Sequence, residues 1–155
     1  MVSLRVVIKA IRVAPGIYQG PCPQSAEQVR RSRFHLLTFC AREIQPQIHD
    51  PHGLHILYAP LNDNPDAPMT DAEWALAERA GRQVAQLTSV GGRALTTCAM
   101  GLNRSGVVNA LALHYRFGVS GSEAIDQIRR TRGANALGNP SFVARLGRLP
   151  KRRFA

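Results

Sequence analysis

Cys98 and Arg104 stand six positions apart in LTTCAMGLNRSGVV (residues 95–108), with Gly101 between them and Ser105 and Gly106 directly after. A thiol and a guanidinium at this spacing can serve one chemistry if the chain between them curls around a tetrahedral anion. Six residues are enough for successive backbone N–H groups to point at one centre and form a nest. Arginine adds a planar fork that grips two phosphate oxygens at once, which a lysine cannot copy. A thiol at the base of the nest gains thiolate character from the N-terminus of the following helix and from the guanidinium. Gly101 gives the backbone the freedom such a turn needs. The stretch is not a nucleotide-binding P-loop, because GLNRSG lacks the Gly-Lys-Ser/Thr ending. The plainer alternative is a strand-to-helix turn with a buried cysteine, and Cys22 and Cys40 have no arginine at the same offset.

Such a loop needs a strand ending at the cysteine and a helix opening at the arginine, since open α/β sheets bind ligands at the carboxyl ends of their strands. RALTTC (93–98) predicts that strand, and SGVVNALALHY (105–115), apolar nearly all round, predicts a central buried helix. Around them, VVIKAIRV (6–13) and GIYQG (16–20) read as short strands joined by a turn at Pro15 and Gly16. Ser25 with Gln28 forms a capping box that opens a short helix. FHLLTFCA (34–41) and GLHILYAPL (53–61) are apolar runs of strand length, suited to strands buried on both faces, with a polar loop between them. Thr70 with Glu73 opens a long helix whose inner face is expected to carry Leu76, Ala80, Val84 and Leu87, and Gly91 and Gly92 stop it. Ser120 with Glu123 caps a helix through Arg130, and NPSFVARL (139–146) gives a last one. Strands interleaved with helices predict an α/β fold, a three-layer sandwich with a central, mostly parallel sheet flanked by helices.

The 155 residues suit a single domain, with hydrophobic residues at 45% and charged ones at 19%, a globular composition. No apolar stretch reaches the length of a membrane span and the N-terminus lacks a signal-peptide cleavage pattern, so the expected home is the cytoplasm. Three widely spaced cysteines make no disulfide framework and suit a reducing compartment. The net charge is +10, and Lys9 and Lys151 are the only lysines. The arginine bias has two readings: the base composition of the source genome, or attraction for anionic partners such as phosphates and nucleic acid. No acid follows Asp126, whereas Arg129, Arg130, Arg132, Arg145, Arg148, Lys151, Arg152 and Arg153 do, which gives a solvated basic tail or an RNA- or membrane-facing patch. His49, Asp50, His52 and His55 match no strong metal-ligand spacing and read as turn chemistry. Trp74 reads as core or half-buried surface, and Cys22 and Cys40 as buried cysteines, with a regulatory disulfide to Cys98 as the alternative.

CAMGLNRSGVV carries the Cys-x5-Arg-Ser signature of the protein tyrosine phosphatase superfamily, and the chain most resembles the small dual-specificity phosphatases within it. PGIYQG resembles that family's first strand, APLNDNPDAP its acid loop, and IRRTRGANALGNPSF its closing helices, so the resemblance spans about residues 15–146. It implies a phosphatase core of about residues 14–148 with a basic tail over 149–155, and it implies no cofactor and no metal. Cys98 is then the nucleophile of a double displacement through a phosphocysteine. Arg104 and the backbone N–H groups of Ala99, Met100, Gly101, Leu102, Asn103 and Arg104 hold the equatorial oxygens. Ser105 stabilises the departing thiolate.

The general acid is Asp63 or Asp66; Asp63 follows directly from the strand, as the family's acid does, and Asp66 is the reserve. Both also suit plain turn formers beside Pro65 and Pro68. Asn139 either buttresses the loop or caps the last helix. One position departs from the family, which usually has histidine before the cysteine where this chain has Thr97. A threonine hydroxyl can donate a hydrogen bond but brings no charge, which points to a lower or pH-shifted rate, or to phosphate binding alone. The substrate expected is a phosphorylated protein, on phosphotyrosine and on phosphoserine or phosphothreonine. An RNA 5′-phosphatase, served by the basic C-terminal region, and a phosphate-binding pseudophosphatase are the alternatives.

Overall fold

The structure is a computed structural model and describes residues 9–43 and 54–153. β1 (Ile11–Ala14) turns back into β2 (Ile17–Pro21), and α1 (Ala26–Arg31), β3 (Leu36–Ala41), β4 (His55–Leu61) and α2 (Asp71–Ser89) follow. β5 (Ala94–Cys98), α3 (Arg104–Phe117), α4 (Gly121–Arg132) and α5 (Pro140–Leu146) complete the elements of the described residues. The strands form one sheet in the order β1-β2-β5-β3-β4. The β1–β2 hairpin is antiparallel, while β2, β5, β3 and β4 run parallel. The expected mostly parallel sheet is therefore the one that forms. No described helix is long and apolar enough to cross a membrane.

β5 lies between β2 and β3 and is buried along its whole length, so Cys98 ends in the middle of the sheet rather than at its margin. Alternate residues of a strand face opposite sides of the sheet. Ala94 and Cys98 join Leu36 and Cys40 in the larger core, with residues of α2, α3, α4 and α5. Leu95 joins Leu37, Phe39 and Val29 of α1 in a smaller core on the other face. Three layers result, four helices on one side and α1 on the other. α3 is buried at every residue from Arg104 to His114, as an apolar helix in the centre of the molecule must be.

Local signals place the helices well. Thr70 with Glu73 and Ser120 with Glu123 both form complete capping boxes, and α4 runs to Arg132, slightly beyond the expected Arg130. At α1 the box is only half made: Ser25 Oγ accepts from Gln28 N–H, but Gln28 Oε1 accepts from Gln24 N–H, one residue before the cap. The strand expected over residues 6–13 is seen from Ile11 onward, its first residues lying outside the described ones.

Two expectations are corrected. β4 is not buried on both faces, because it is an edge strand, and His55 and Tyr58 are exposed. The inner face of α2 is Ala77, Ala80, Gly81, Val84, Ala85 and Thr88, whereas Leu76 is 38% exposed and Leu87 is only partly buried. The reason is the close approach of α3. A Cβ on Gly81 would lie 2.7 Å from Leu111 Cβ, so the stripe facing α3 has to be small and the leucines are displaced to its margins.

In a free helix Gly→Ala gains about 1 kcal/mol, while forcing a methyl into a full core costs about 1–3 kcal/mol. At 2.7 Å from Leu111 Cβ the steric cost wins. Gly81→Ala is therefore expected to lower the urea unfolding midpoint by the equivalent of about 1 kcal/mol; an unchanged or raised midpoint would show that the α2–α3 contact has room to relax.

Candidate active site

The loop between β5 and α3 is built on the last residue of the central strand and the first residue of the buried helix. Cys98 pairs with Pro21 across the sheet, and its side chain is nearly inaccessible. Its Sγ lies 3.3 Å from Ser105 Oγ, in the first turn of α3. Gly101 has φ +67, and a Cβ there would lie 2.5 Å from the carbonyl carbon of Gly20, so both backbone conformation and space require glycine.

Four successive carbonyls of the loop, those of residues 100–103, are turned to the elements around it. Met100 O accepts from Arg132 Nη2 at 3.0 Å, and Gly101 O accepts from Arg132 Nε at 2.9 Å and Gln19 Nε2 at 3.0 Å. Leu102 O accepts from Leu137 N–H at 3.1 Å, and Asn103 O accepts from Val107 N–H at 3.1 Å. In a trans peptide the N–H points opposite to the C=O. The N–H groups of Gly101, Leu102, Asn103 and Arg104 are thereby directed to the other side, as a nest requires. Gln19 is fully buried, and its Oε1 accepts from Asn109 Nδ2, which also donates to Tyr18 O. Gln19, Asn109 and Arg132 thus form a polar support beneath the loop that sequence reasoning missed. A glutamine within a short apolar strand and an asparagine within an apolar helix were the signals available.

Arg104 has a partner that the sequence also did not reveal. Glu43, two residues beyond β3, takes Nη1 at 2.5 Å and Nη2 at 2.6 Å, the two ends of the guanidinium. Arg104 is 7% exposed at its side chain and Glu43 is 57% exposed. Arg104 Nε is buried and has no hydrogen-bond partner among the described residues. The carboxylate therefore grips the guanidinium by its end and leaves the edge carrying Nε for another acceptor. The hydrogen bonds from Arg104 hold the Glu43 carboxyl at about 2, below its ordinary 4.5, and the arginine is raised in turn. Glu43 stands at the carboxyl end of a parallel strand, where ligand-handling residues concentrate.

Asp63 is held by two carboxamides. Oδ2 accepts from Asn103 Nδ2 at 3.2 Å and Oδ1 from Asn139 Nδ2 at 3.0 Å, and its charge reaches Arg104. Asn139 also caps α5, its Oδ1 accepting from Ser141 N–H at 2.9 Å, so both of its expected roles coexist. Asp66 does not join this group. It is exposed, with its N–H bonded to Asn64 Oδ1 in the turn. Cys98, Arg104, Ser105 and Asp63 therefore gather around one loop at the carboxyl end of the sheet.

Thr97 is buried and donates to Thr38 O at 3.3 Å, across the sheet rather than into the loop. Orientation of the loop falls instead to Gln19 and Arg132. Cys40 is buried as expected whereas Cys22 is only half-buried; both are free thiols, pushed up by burial first and by the neighbouring Cys98 second. Trp74 is half-buried against the core beneath Arg145. Of the histidine group, His49, Asp50 and His52 lie outside the described residues.

No family model and no curated protein sequence matches the chain. Solved structures do. Human DUSP28 aligns with a TM-score of 0.72 at 27% identity, covering 88% of this chain and 89% of its own. A mouse putative dual specificity phosphatase complexed with zinc tungstate aligns at 0.72 and 26%, covering 88% and 83%. DUSP15, at 0.71 and 21% identity over 89% and 85%, shares the fold. These likenesses support the resemblance to the dual-specificity phosphatase family of the protein tyrosine phosphatase superfamily, and in general terms a phosphatase function.

The Glu43–Arg104 pair gives a pH signature. Glu43 titrates near 4.5 unfolded and near 2 folded, so the unfolded chain binds more protons between these values and stability rises with pH there. The contribution is complete above about 4.5 and is lost as pH falls towards 2. With Glu43 half-exposed, solvent limits it to about 1 kcal/mol. Glu43→Gln is expected to unfold at lower urea than wild type at pH 7 and to converge with it near pH 2 to 3; a gap that persists into acid would place the effect elsewhere.

Proposed function

We propose that the chain is a cysteine-dependent phosphomonoester phosphatase acting on phosphotyrosine and on phosphoserine or phosphothreonine in proteins, through a phosphocysteine intermediate. The observation that carries this reading is a loop with the carbonyls of residues 100–103 turned outward, beside a thiol 3.3 Å from the Ser105 hydroxyl. The N–H groups of residues 99–104 and the Nε edge of Arg104 receive the three equatorial oxygens. Cys98 attacks phosphorus as the thiolate. The sulfur–phosphorus bond forms, the bond to the leaving oxygen breaks, and Asp63 gives that oxygen its proton. Asp63, now a carboxylate, takes a proton from water as the water attacks phosphorus. The sulfur–phosphorus bond breaks, inorganic phosphate leaves, and Ser105 Oγ donates to the thiolate that returns.

A free thiol nucleophile works in a reducing compartment, and we place the protein in the cytoplasm. Phosphoprotein is preferred over an RNA 5′ end because of where the basic tail packs. Arg152 N–H donates to Gly118 O and its Nη1 to Tyr115 O, while Lys151 meets Glu123. These contacts lie at the far end of the 14-residue α3 from the loop, about 20 Å away at the rise of an α-helix. A 5′ phosphate seated in the loop would leave that basic region out of its immediate reach.

Hydrolysis of p-nitrophenyl phosphate without added metal tests the reading. Wild type is expected to turn over, Cys98→Ser to be inactive, and Asp63→Asn to fall by about 10²-fold, the lower range for a lost general acid. Well-folded wild type without turnover, or a Cys98→Ser variant that keeps it, overturns the proposal.

A further inference from the structure

Asn103 occupies the N-cap of α3, where an asparagine side chain ordinarily accepts an N–H of the first turn. It makes no such bond. Oδ1 instead accepts from Gly138 N–H at 2.8 Å and Asn139 N–H at 3.3 Å, and Nδ2 donates to Asp63 Oδ2 at 3.2 Å. A helix buried from its first residue thus forgoes a local cap, and the carboxamide is spent on two segments 40 and 35 residues away. The residue type fits this use closely. A carboxamide offers an acceptor and a donor on one rigid plane. Aspartate would lose the donor and set a second charge against Asp63, and serine is too short to span both partners.

On the phosphatase reading, we propose that Asn103 is the positioning residue that couples phosphate binding to proton transfer. Its backbone belongs to the loop that receives the phosphate, next to Arg104, and its side chain holds one oxygen of the Asp63 carboxyl. Asn139 holds the other oxygen and is itself anchored by capping α5. The carboxyl plane is therefore defined at two points. One of them is carried by the loop itself, so any adjustment of the loop around phosphate passes to the acid within a single residue. Without Asn103 the carboxyl keeps only the Asn139 contact and can rotate away from the leaving oxygen.

The test exploits the leaving group, because a proton donor matters most when the departing oxygen is basic. The quantity read is kcat/KM for p-nitrophenyl phosphate divided by that for phenyl phosphate, which presents the same phosphate with a poorer leaving group. Asn103→Ala is expected to raise this ratio by about tenfold, a part of the 10²–10⁴ that a general acid contributes. Asp63→Asn should raise it further, and Asn103→Ala in the Asp63→Asn background should add nothing. Equal losses on both substrates, or a full additional bias in the double variant, overturn the proposal by making Asn103 a structural residue only. If Asn103→Ala does not melt cooperatively, Asn103→Asp keeps the acceptor for residues 138 and 139, replaces the donor by a charge that repels the Asp63 carboxyl, and must show a bias in the same direction. Wild type that hydrolyses neither substrate overturns the phosphatase reading itself, a failure distinct from equal losses in an active background.

Discussion

A backbone amide can face an anion only if the carbonyl fused to it faces something else, and that constraint organises this molecule. Four successive carbonyls, those of Met100, Gly101, Leu102 and Asn103, are drawn outward by Arg132, Gln19, Leu137 and Val107. The donors come from α4, β2, the α4–α5 connection and α3, which explains why so much of the chain is needed to shape six residues. Buried carbonyls without partners would each cost on the order of 1–3 kcal/mol. The loop is stable because the surrounding elements satisfy them, and the same bonds leave the N–H side open to a ligand.

The electrostatics follow the same division of labour. Arg104 is buried at the start of α3 and would be costly there as a lone charge. Glu43 neutralises one side of it and leaves the Nε edge without a partner among the described residues. Asp63 is fixed by amides rather than by a cation, an arrangement that holds a carboxyl in place without committing it to an ion pair. The cation keeps one edge free while its carboxylate partner is fully engaged, and the acid is held through both of its oxygens by neutral donors.

Packing supplies the rigidity on which these distances depend. The small residues of α2 let α3 approach until a methyl group on Gly81 would collide with Leu111. α3 is thereby buried from Arg104 to His114 and presents its first turn to Cys98 from a fixed axis. On the other face, Val29 of α1 and Phe34 pack with Leu37 and Phe39 of β3 and Leu95 of β5. The thiol belongs to the larger of the two cores.

Much of this was legible in the amino-acid order. Strand, loop and central helix around Cys98 and Arg104 follow from local apolar patterning, and the caps at Thr70 and Ser120 depend on residues three positions apart. Asp63 is favoured over Asp66 by its place directly after the strand, although both suit turn residues, and the arrival of Asn103 and Asn139 from 40 and 76 residues away sets it apart from the exposed Asp66. Glu43 on Arg104 bridges 61 positions and Gln19 on Gly101 bridges 82. On α2, Ala80 and Val84 face inward as their spacing predicts but Leu76 and Leu87 do not, because periodicity ranks residues by hydrophobicity, whereas a close helix crossing selects them by size. What the sequence determined by itself was whatever short-range geometry controls: the elements, their caps, and the spacing of thiol and guanidinium. The tertiary structure alone decided which distant polar groups hold the loop, the arginine and the acid, because hydrogen bonds between remote segments leave no periodic trace in the chain that makes them.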